Sequence, residues 1–198
     1  AETVFTRERV GVMSVLVVGA GALGNEVVKA LGLLGVGRVV VVDPDLVEAG
    51  NLARSVLLRR AGAVGRNKAE VMTEAVGEWF PDTEVVGIGR EIGDVGFETV
   101  AEADLVFGCV DSELARVEMA YIATKLEAQV CDGGLGAPDY WRGRVSWFPG
   151  REGACFSCLL SGQKRRELLT GWDSPAGSCW RAEQEPARPS TPTMAAMV

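Results

Sequence analysis

Histidine does not occur among the 198 residues. Its absence excludes a Ser-His-Asp triad, a histidine general base and any histidine metal ligand. Chemistry in this chain falls to carboxylates, Lys, Arg, thiols, backbone amides or a bound ion. There is also no stretch of about eighteen uncharged apolar residues, so no membrane span and no membrane partner are expected. Ala1-Glu2-Thr3 opens no visible signal peptide, although processing would erase one. An excess of positive charge is missing too. The 20 Lys and Arg against 27 Asp and Glu leave a net charge of −7. That balance argues against nucleic acid or an anionic membrane surface as a partner. No internal repeat is present. The length suits a single domain with a substantial core, and the 47% apolar content reads as a globular protein.

The informative stretch is 14–54. An apolar run, Val15 to Val18, reads as a strand buried on both faces. It feeds into Gly19-Ala20-Gly21-Ala22-Leu23-Gly24. In such a pattern the first glycine permits the tight turn and the second lets backbone N–H groups approach a phosphate. The third lets the next helix pack close to the strand. That helix, predicted from about Ala22 to Leu34, points its positive dipole end at the anion. A second apolar run, Val39 to Val42, delivers Asp43, nineteen residues past Gly24, where a dinucleotide-binding fold keeps its ribose-binding carboxylate. The glycines alone are a weak signal. With strand, helix and acid in order they predict nucleotide binding.

An oxidoreductase using NAD would need no more than this. Here Asp43 opens Asp43-Pro44-Asp45-Leu46-Val47-Glu48-Ala49-Gly50-Asn51-Leu52-Ala53-Arg54, and Gly65-Arg66-Asn67-Lys68-Ala69-Glu70 follows. The chain resembles the ubiquitin-activating enzyme superfamily, which includes the adenylyltransferases of the thiamin and molybdopterin sulfur-carrier proteins. Its motifs, G-x-G-x-x-G, then D-x-D-x-(I/V)-x-x-x-N-x-x-R, then G-x-x-K-(A/V), occur in order, and the resemblance runs from Val15 to the end of the chain. It implies ATP-dependent adenylation of the C-terminal carboxylate of a ubiquitin-like or sulfur-carrier protein. A homodimer or related heterodimer and a cytoplasmic location are implied with it.

The rest of the chain alternates strands and helices. Helices are predicted at Asn67 to Phe80, Val95 to Glu102 and Ser112 to Ala128, with Trp79 and Tyr121 on buried faces. Strands are predicted at Thr83 to Ile88, Asp104 to Val110 and Gln129 to Cys131. This order predicts an α/β fold: a Rossmann-like, doubly wound, mainly parallel sheet with added antiparallel edge strands, the first of them Arg144 to Phe148. Residues 1–150 are read as the nucleotide-binding adenylation domain. Residues 151–198, part of the same domain, carry a C-x-x-C turn, a short helix from Lys164 to Leu169 and a mobile crossover segment, Pro-rich at 183–193. The chain is expected to stop short of a second C-x-x-C. The R-Y-x-R-Q segment usual at the start of family members is absent, and Arg7 and Arg9 read as solvated charges.

The resemblance assigns roles residue by residue. Gly19, Gly21 and Gly24 surround the phosphates, Asp43 holds the ribose, and Asn51, Arg54 and Lys68 hold the phosphates. Arg54 and Lys68 would offset charge developing at the α-phosphate and the leaving pyrophosphate. Asp111, just past the fourth strand, matches the family Asp that coordinates Mg²⁺; helix capping is its alternative role. Asp45 is left without a role. Five cysteines in such a chain suggest a reducing compartment with thiol or metal chemistry. Cys155 and Cys158 have the spacing of half a Zn(Cys)₄ site, so Zn²⁺ is a second candidate metal, although two thiolates do not close it. Cys109 and Cys131 read as core packing. Cys179 occupies the place of the cysteine that accepts the acyl group in some family members, and the segment around it is expected to be mobile. Two rivals stand beside this reading. An NAD-dependent oxidoreductase leaves Asn51, Arg54, Lys68 and the C-x-x-C without purpose. An inactive partner subunit of an activating enzyme is opposed by the intact Arg54, Lys68 and Asp111 and favoured by the missing R-Y-x-R-Q segment and the expected lack of the second C-x-x-C.

Overall fold

The computed structural model describes residues 6–135, 143–150 and 153–170. Six strands form one sheet in the order β3-β2-β1-β4-β5-β6. These are β1 (Ser14–Val18), β2 (Arg38–Val42), β3 (Glu84–Ile88), β4 (Leu105–Gly108), β5 (Val130–Leu135) and β6 (Gly143–Phe148). The first five run parallel, and β6 pairs antiparallel with β5 from Val130↔Phe148 to Leu135↔Gly143. The expected doubly wound, mainly parallel sheet is therefore present, with one antiparallel edge strand among the described residues.

The helices are α1 (Arg7–Val10), α2 (Ala22–Leu34), α3 (Lys68–Trp79), α4 (Phe97–Ala101), α5 (Glu113–Lys125) and α6 (Gly162–Thr170). Strand parity sorts the core into two layers. Val15, Val17, Val39 and Val41 meet Val28 and Leu31 of α2 and Val71, Met72 and Val76 of α3 on one face. Leu16, Val18, Val40, Val42 and Val106 meet Val117, Ala120 and Ile122 of α5 on the other. Both faces are covered, which is why these strands read as unbroken valine runs instead of alternating patterns.

Three details differ from expectation. Trp79 is exposed at the end of α3, because Phe80 takes the inward position. A Cβ on Gly32 of α2 would lie 2.4 Å from the Phe80 ring. Tyr121 is also exposed. The buried residues of α5 are Arg116, Val117, Met119, Ala120, Ile122 and Ala123, and Tyr121 lies at their margin beneath the Lys125 ammonium. Finally, β5 continues past Cys131 through Asp132, Gly133 and Gly134, because β6 supplies partners for that extension.

Candidate active site

A cavity of about 390 Å³ opens at the carboxyl ends of β2, β1, β4 and β5. Gly19, Gly21, Asp43, Asp45, Asn51, Arg54, Lys68 and Asp111 all line it. A sheet whose strand order reverses beside β1 leaves its crevice there.

The glycine turn packs closely against neighbouring backbone. Gly19 has φ +101°, and a Cβ there would lie 2.7 Å from the Cys109 carbonyl oxygen, where β4 passes close to the turn. Gly24 stands behind the turn and does not line the cavity: a Cβ would come within 1.9 Å of the Gly19 carbonyl oxygen. Its contribution is close approach of α2 to the sheet, which leaves Gly19 and Gly21 on the cavity wall. Nothing lies within 4 Å of a Cβ at Gly21.

Asp43, buried at the end of β2, accepts a hydrogen bond from the Ala20 amide at 2.6 Å and one from the Asp45 amide at 2.8 Å. Its carboxylate thus ties the glycine turn to the segment after β2. Burial pushes its pKa above the ordinary aspartate value, against the opposing pull of Lys68 and the two amides. The Asn67 side chain donates to the Asp43 carbonyl at 2.9 Å and to the Asp45 carbonyl at 3.2 Å, and it also caps α3. Lys68 Nζ then meets the Asp45 carboxylate at 2.7 Å. Asp45, left without a role in the sequence, holds the cavity's lysine in place. Arg90 and Glu91, just past β3, complete this end of the wall. Burial, then Asp45 and Asp43, raise the Glu91 pKa.

Asn51 lies in a short 3₁₀ turn over Ala49–Ala53 and closes a reciprocal cap with Glu48, its side-chain oxygen accepting from the Glu48 amide at 2.9 Å. Arg54 follows directly. The next turn, Val56–Leu58, is pinned from α2, where the wholly buried Asn25 accepts from the Leu57 amide at 2.7 Å. Asn25 carried no sequence signal, because a polar residue inside a helix pattern does not reveal a loop it will anchor.

At the other end of the cavity, Ser112 and not Asp111 caps α5, accepting from the Ala115 amide at 3.3 Å. Asp111 stands exposed on the wall at the end of β4. One turn along α5, the buried Arg116 reaches the same wall. It donates through Nε to Asp132 at 3.1 Å and through Nη2 to the Gly133 carbonyl at 2.9 Å. Arg144 from β6 meets the other oxygen of the fully buried Asp132 at 3.1 Å. This Arg116–Asp132–Arg144 cluster was missed in the sequence, where its members lie on three separate elements.

Cys155 and Cys158 begin and end one tight turn, with their sulfurs 3.9 Å apart and the Cys158 amide donating to the Cys155 carbonyl at 2.9 Å. Burial alone would raise the Cys155 thiol, but hydrogen bonds from the Ser157 amide, Cys158 and Thr124 outweigh it, and the net direction is downward. Among the described residues no group of three metal-ligating side chains occurs. Cys109 is buried and its thiol is pushed up by desolvation and by Asp132, as packing cysteines are. Cys131 is only half-buried. Cys179 lies outside the described residues. No helix among the described residues is long and apolar enough to cross a membrane.

Known proteins resemble this chain in sequence and fold. A family model described as the ThiF family matches residues 5–182. The chain is 34% identical over 146 residues to an adenylyltransferase and sulfurtransferase UBA4 of Meyerozyma guilliermondii, covering 73% of this chain and 33% of that protein. It is 29% identical over 168 residues to a ubiquitin-like modifier-activating enzyme 5 of Arabidopsis thaliana, covering 76% of this chain and 38% of that protein. The chain thus spans little more than a third of the length of these curated relatives. A solved structure of E. coli MccB with ATP matches with a TM-score of 0.68 at 18% identity, over 96% of this chain and 53% of that one.

Proposed function

The chain belongs to the ThiF family, and from that premise we propose that it activates the C-terminal carboxylate of a ubiquitin-like or sulfur-carrier protein by adenylation with ATP. The observation that carries this reading is the convergence of Asp43, Asn51, Arg54, Lys68 and Asp111, from four separate segments, on one cavity beside the glycine turn. In this reading the nucleoside lies at the β2 end with its ribose on Asp43. The phosphates lie over Gly19, Gly21 and the first amides of α2, between Arg54 and Lys68. The acyl carboxylate enters at the β4–β5 end, beside Arg116, Gly133 and Gly134.

The carboxylate oxygen attacks the α-phosphorus, an O–P bond forms and pyrophosphate leaves. Displacement at phosphorus depends on positioning and charge neutralisation, which Arg54 and Lys68 supply. Lys68 must exchange Asp45 for phosphate as it does so. A Mg²⁺ ion fits the donor chemistry, since such sites use one or two carboxylates with substrate phosphates completing the shell. Asp111 would hold it, and it would spread the negative charge of the triphosphate. The Cys155–Cys158 separation of 3.9 Å matches the roughly 3.8 Å edge of a tetrahedron of Zn–S bonds. These two thiolates would then form half of a zinc site. Onward transfer, in which the Cys179 thiolate attacks the acyl-adenylate and releases AMP, belongs to the same reading, as does pairing with a second, related subunit.

ATP–pyrophosphate exchange with a recombinant ubiquitin-like protein tests the proposal. Arg54→Ala and Asp111→Ala are expected to keep the fold and lose at least ~100-fold in exchange, because each acts on charge in the transition state. Titration showing NAD bound and ATP not bound would overturn it.

A further inference from the structure

Arg116 lines the cavity and also faces the C-x-x-C turn, through one aromatic ring. Phe156, between the two cysteines, is buried. Its ring lies 6.0 Å from the Arg116 guanidinium carbon and 5.4 Å from that of Arg144. The Arg116 guanidinium is also bounded by Asp132 and the Gly133 carbonyl. Gly134 bounds it as well, since a Cβ there would lie 2.7 Å from Nη2. Two cations share one buried carboxylate, so the cluster carries an excess positive charge. The electron-rich face of a desolvated ring offsets part of that excess. A small void of about 30 Å³ lies beside Phe156, lined by Met119, Ala123, Thr124 and Cys155. The ring packs in the core layer beside Val117, Met119 and Ala123 of α5, and its backbone belongs to the C-x-x-C turn.

We propose that Phe156 is a positioning residue: the C-x-x-C turn, acting through its ring, sets the Arg116 guanidinium at the acyl end of the cavity. This rests on the adenylation reading for its catalytic consequence but not for its structural one. A state of the two thiols that moves the turn, whether loss of a metal ion or oxidation by a disulfide, would detune the acyl end while leaving the nucleotide end intact.

The test compares Phe156→Tyr, Phe156→Leu and the double variant Cys155→Ser/Cys158→Ser in two readouts. The first is the Arg116 Nε–H resonance in ¹⁵N-labelled protein, which needs no turnover. It is expected to be protected from solvent exchange in the parent chain and in the Tyr variant, and to lose protection in the Leu and double-Ser variants. The second is pyrophosphate exchange with a recombinant ubiquitin-like protein. The Leu and double-Ser variants should raise KM for the protein substrate by about 10-fold while KM for ATP stays within about 2-fold. A Leu or double-Ser variant indistinguishable from the parent in both readouts would overturn the proposal. So would an equal rise in both KM values, the mark of general loosening. If the parent shows no exchange at all, the adenylation reading fails, and the resonance alone decides the role of Phe156.

Discussion

At the β2 end of the cavity, polar groups are tied down by several separate hydrogen bonds, largely to backbone: Asp43 to the Ala20 and Asp45 amides, Asn67 to two carbonyls, Asn51 to Glu48. At the β5 end the anchor is one buried acid, Asp132, holding arginines from a helix and an edge strand. The first arrangement divides its restraint among many modest hydrogen bonds, each replaceable at small cost. The second concentrates it in a single charge taken out of water, where the loss of one partner strands the others. The two ends therefore differ in fragility more than in polarity.

The contrast is sharpest in a pair of substitutions. Asp132→Ala leaves Arg116 buried without its carboxylate and is expected to cost about 3–5 kcal/mol in urea unfolding. Asp45→Ala removes a partner of Lys68 whose carboxylate is 65% exposed, and should cost no more than about 1 kcal/mol. Equal losses would break the comparison. Within the β2 end, Gly24→Ala forces a methyl against the Gly19 carbonyl and is expected to cost about 1–3 kcal/mol or more, with loss of ATP binding in titration. Gly21→Ala meets open space and should leave the melting temperature unchanged.

The smallest effect concerns Glu118 of α5, whose pKa is raised by burial and by Glu91 and Asp94. A carboxyl with a raised folded-state pKa favours folding where it is protonated, and that support is lost as pH rises through its folded value. Glu118→Gln is therefore expected to raise the melting temperature slightly at pH 7. The gain should vanish as pH falls to the unfolded glutamate value near ~4.3, which a set of melts across that range would check.

The same contrast explains what was legible in the sequence. Gly19 to Asp43 and the parallel sheet could be placed from short spacings and strand–helix alternation, whereas Asn51, Arg54, Lys68 and Asp111 were placed by resemblance to the family's motifs. The structure gathers them on one wall. Asp45 was visible but mute, since its partner Lys68 is brought beside it only when Asn67 clips the two segments together. Arg116, Asp132 and Arg144 gave no signal, because each is an ordinary charged residue until a helix and two strands converge. Trp79 and Tyr121 were misplaced for a local reason: helical periodicity gives a face, but not which margin a neighbouring residue such as Phe80 will occupy. Cys179 and the Pro-rich stretch around it lie outside the described residues.

The position of β1 also sets an order of assembly. Its pairing with β2, and that of β2 with β3, joins neighbours in the chain, so the first three strands with α2 and α3 can gather early around short connections. The partner on its other side is β4, and the Ser14 amide waits for the Asp104 carboxylate, ninety residues downstream. Closing that span costs chain entropy that only a finished β1–β4 ladder returns. During synthesis on the ribosome, the glycine turn is therefore made well before the strand that backs it. A chain that has joined only its first three strands leaves β1 as an open edge, the kind of edge that invites mispairing.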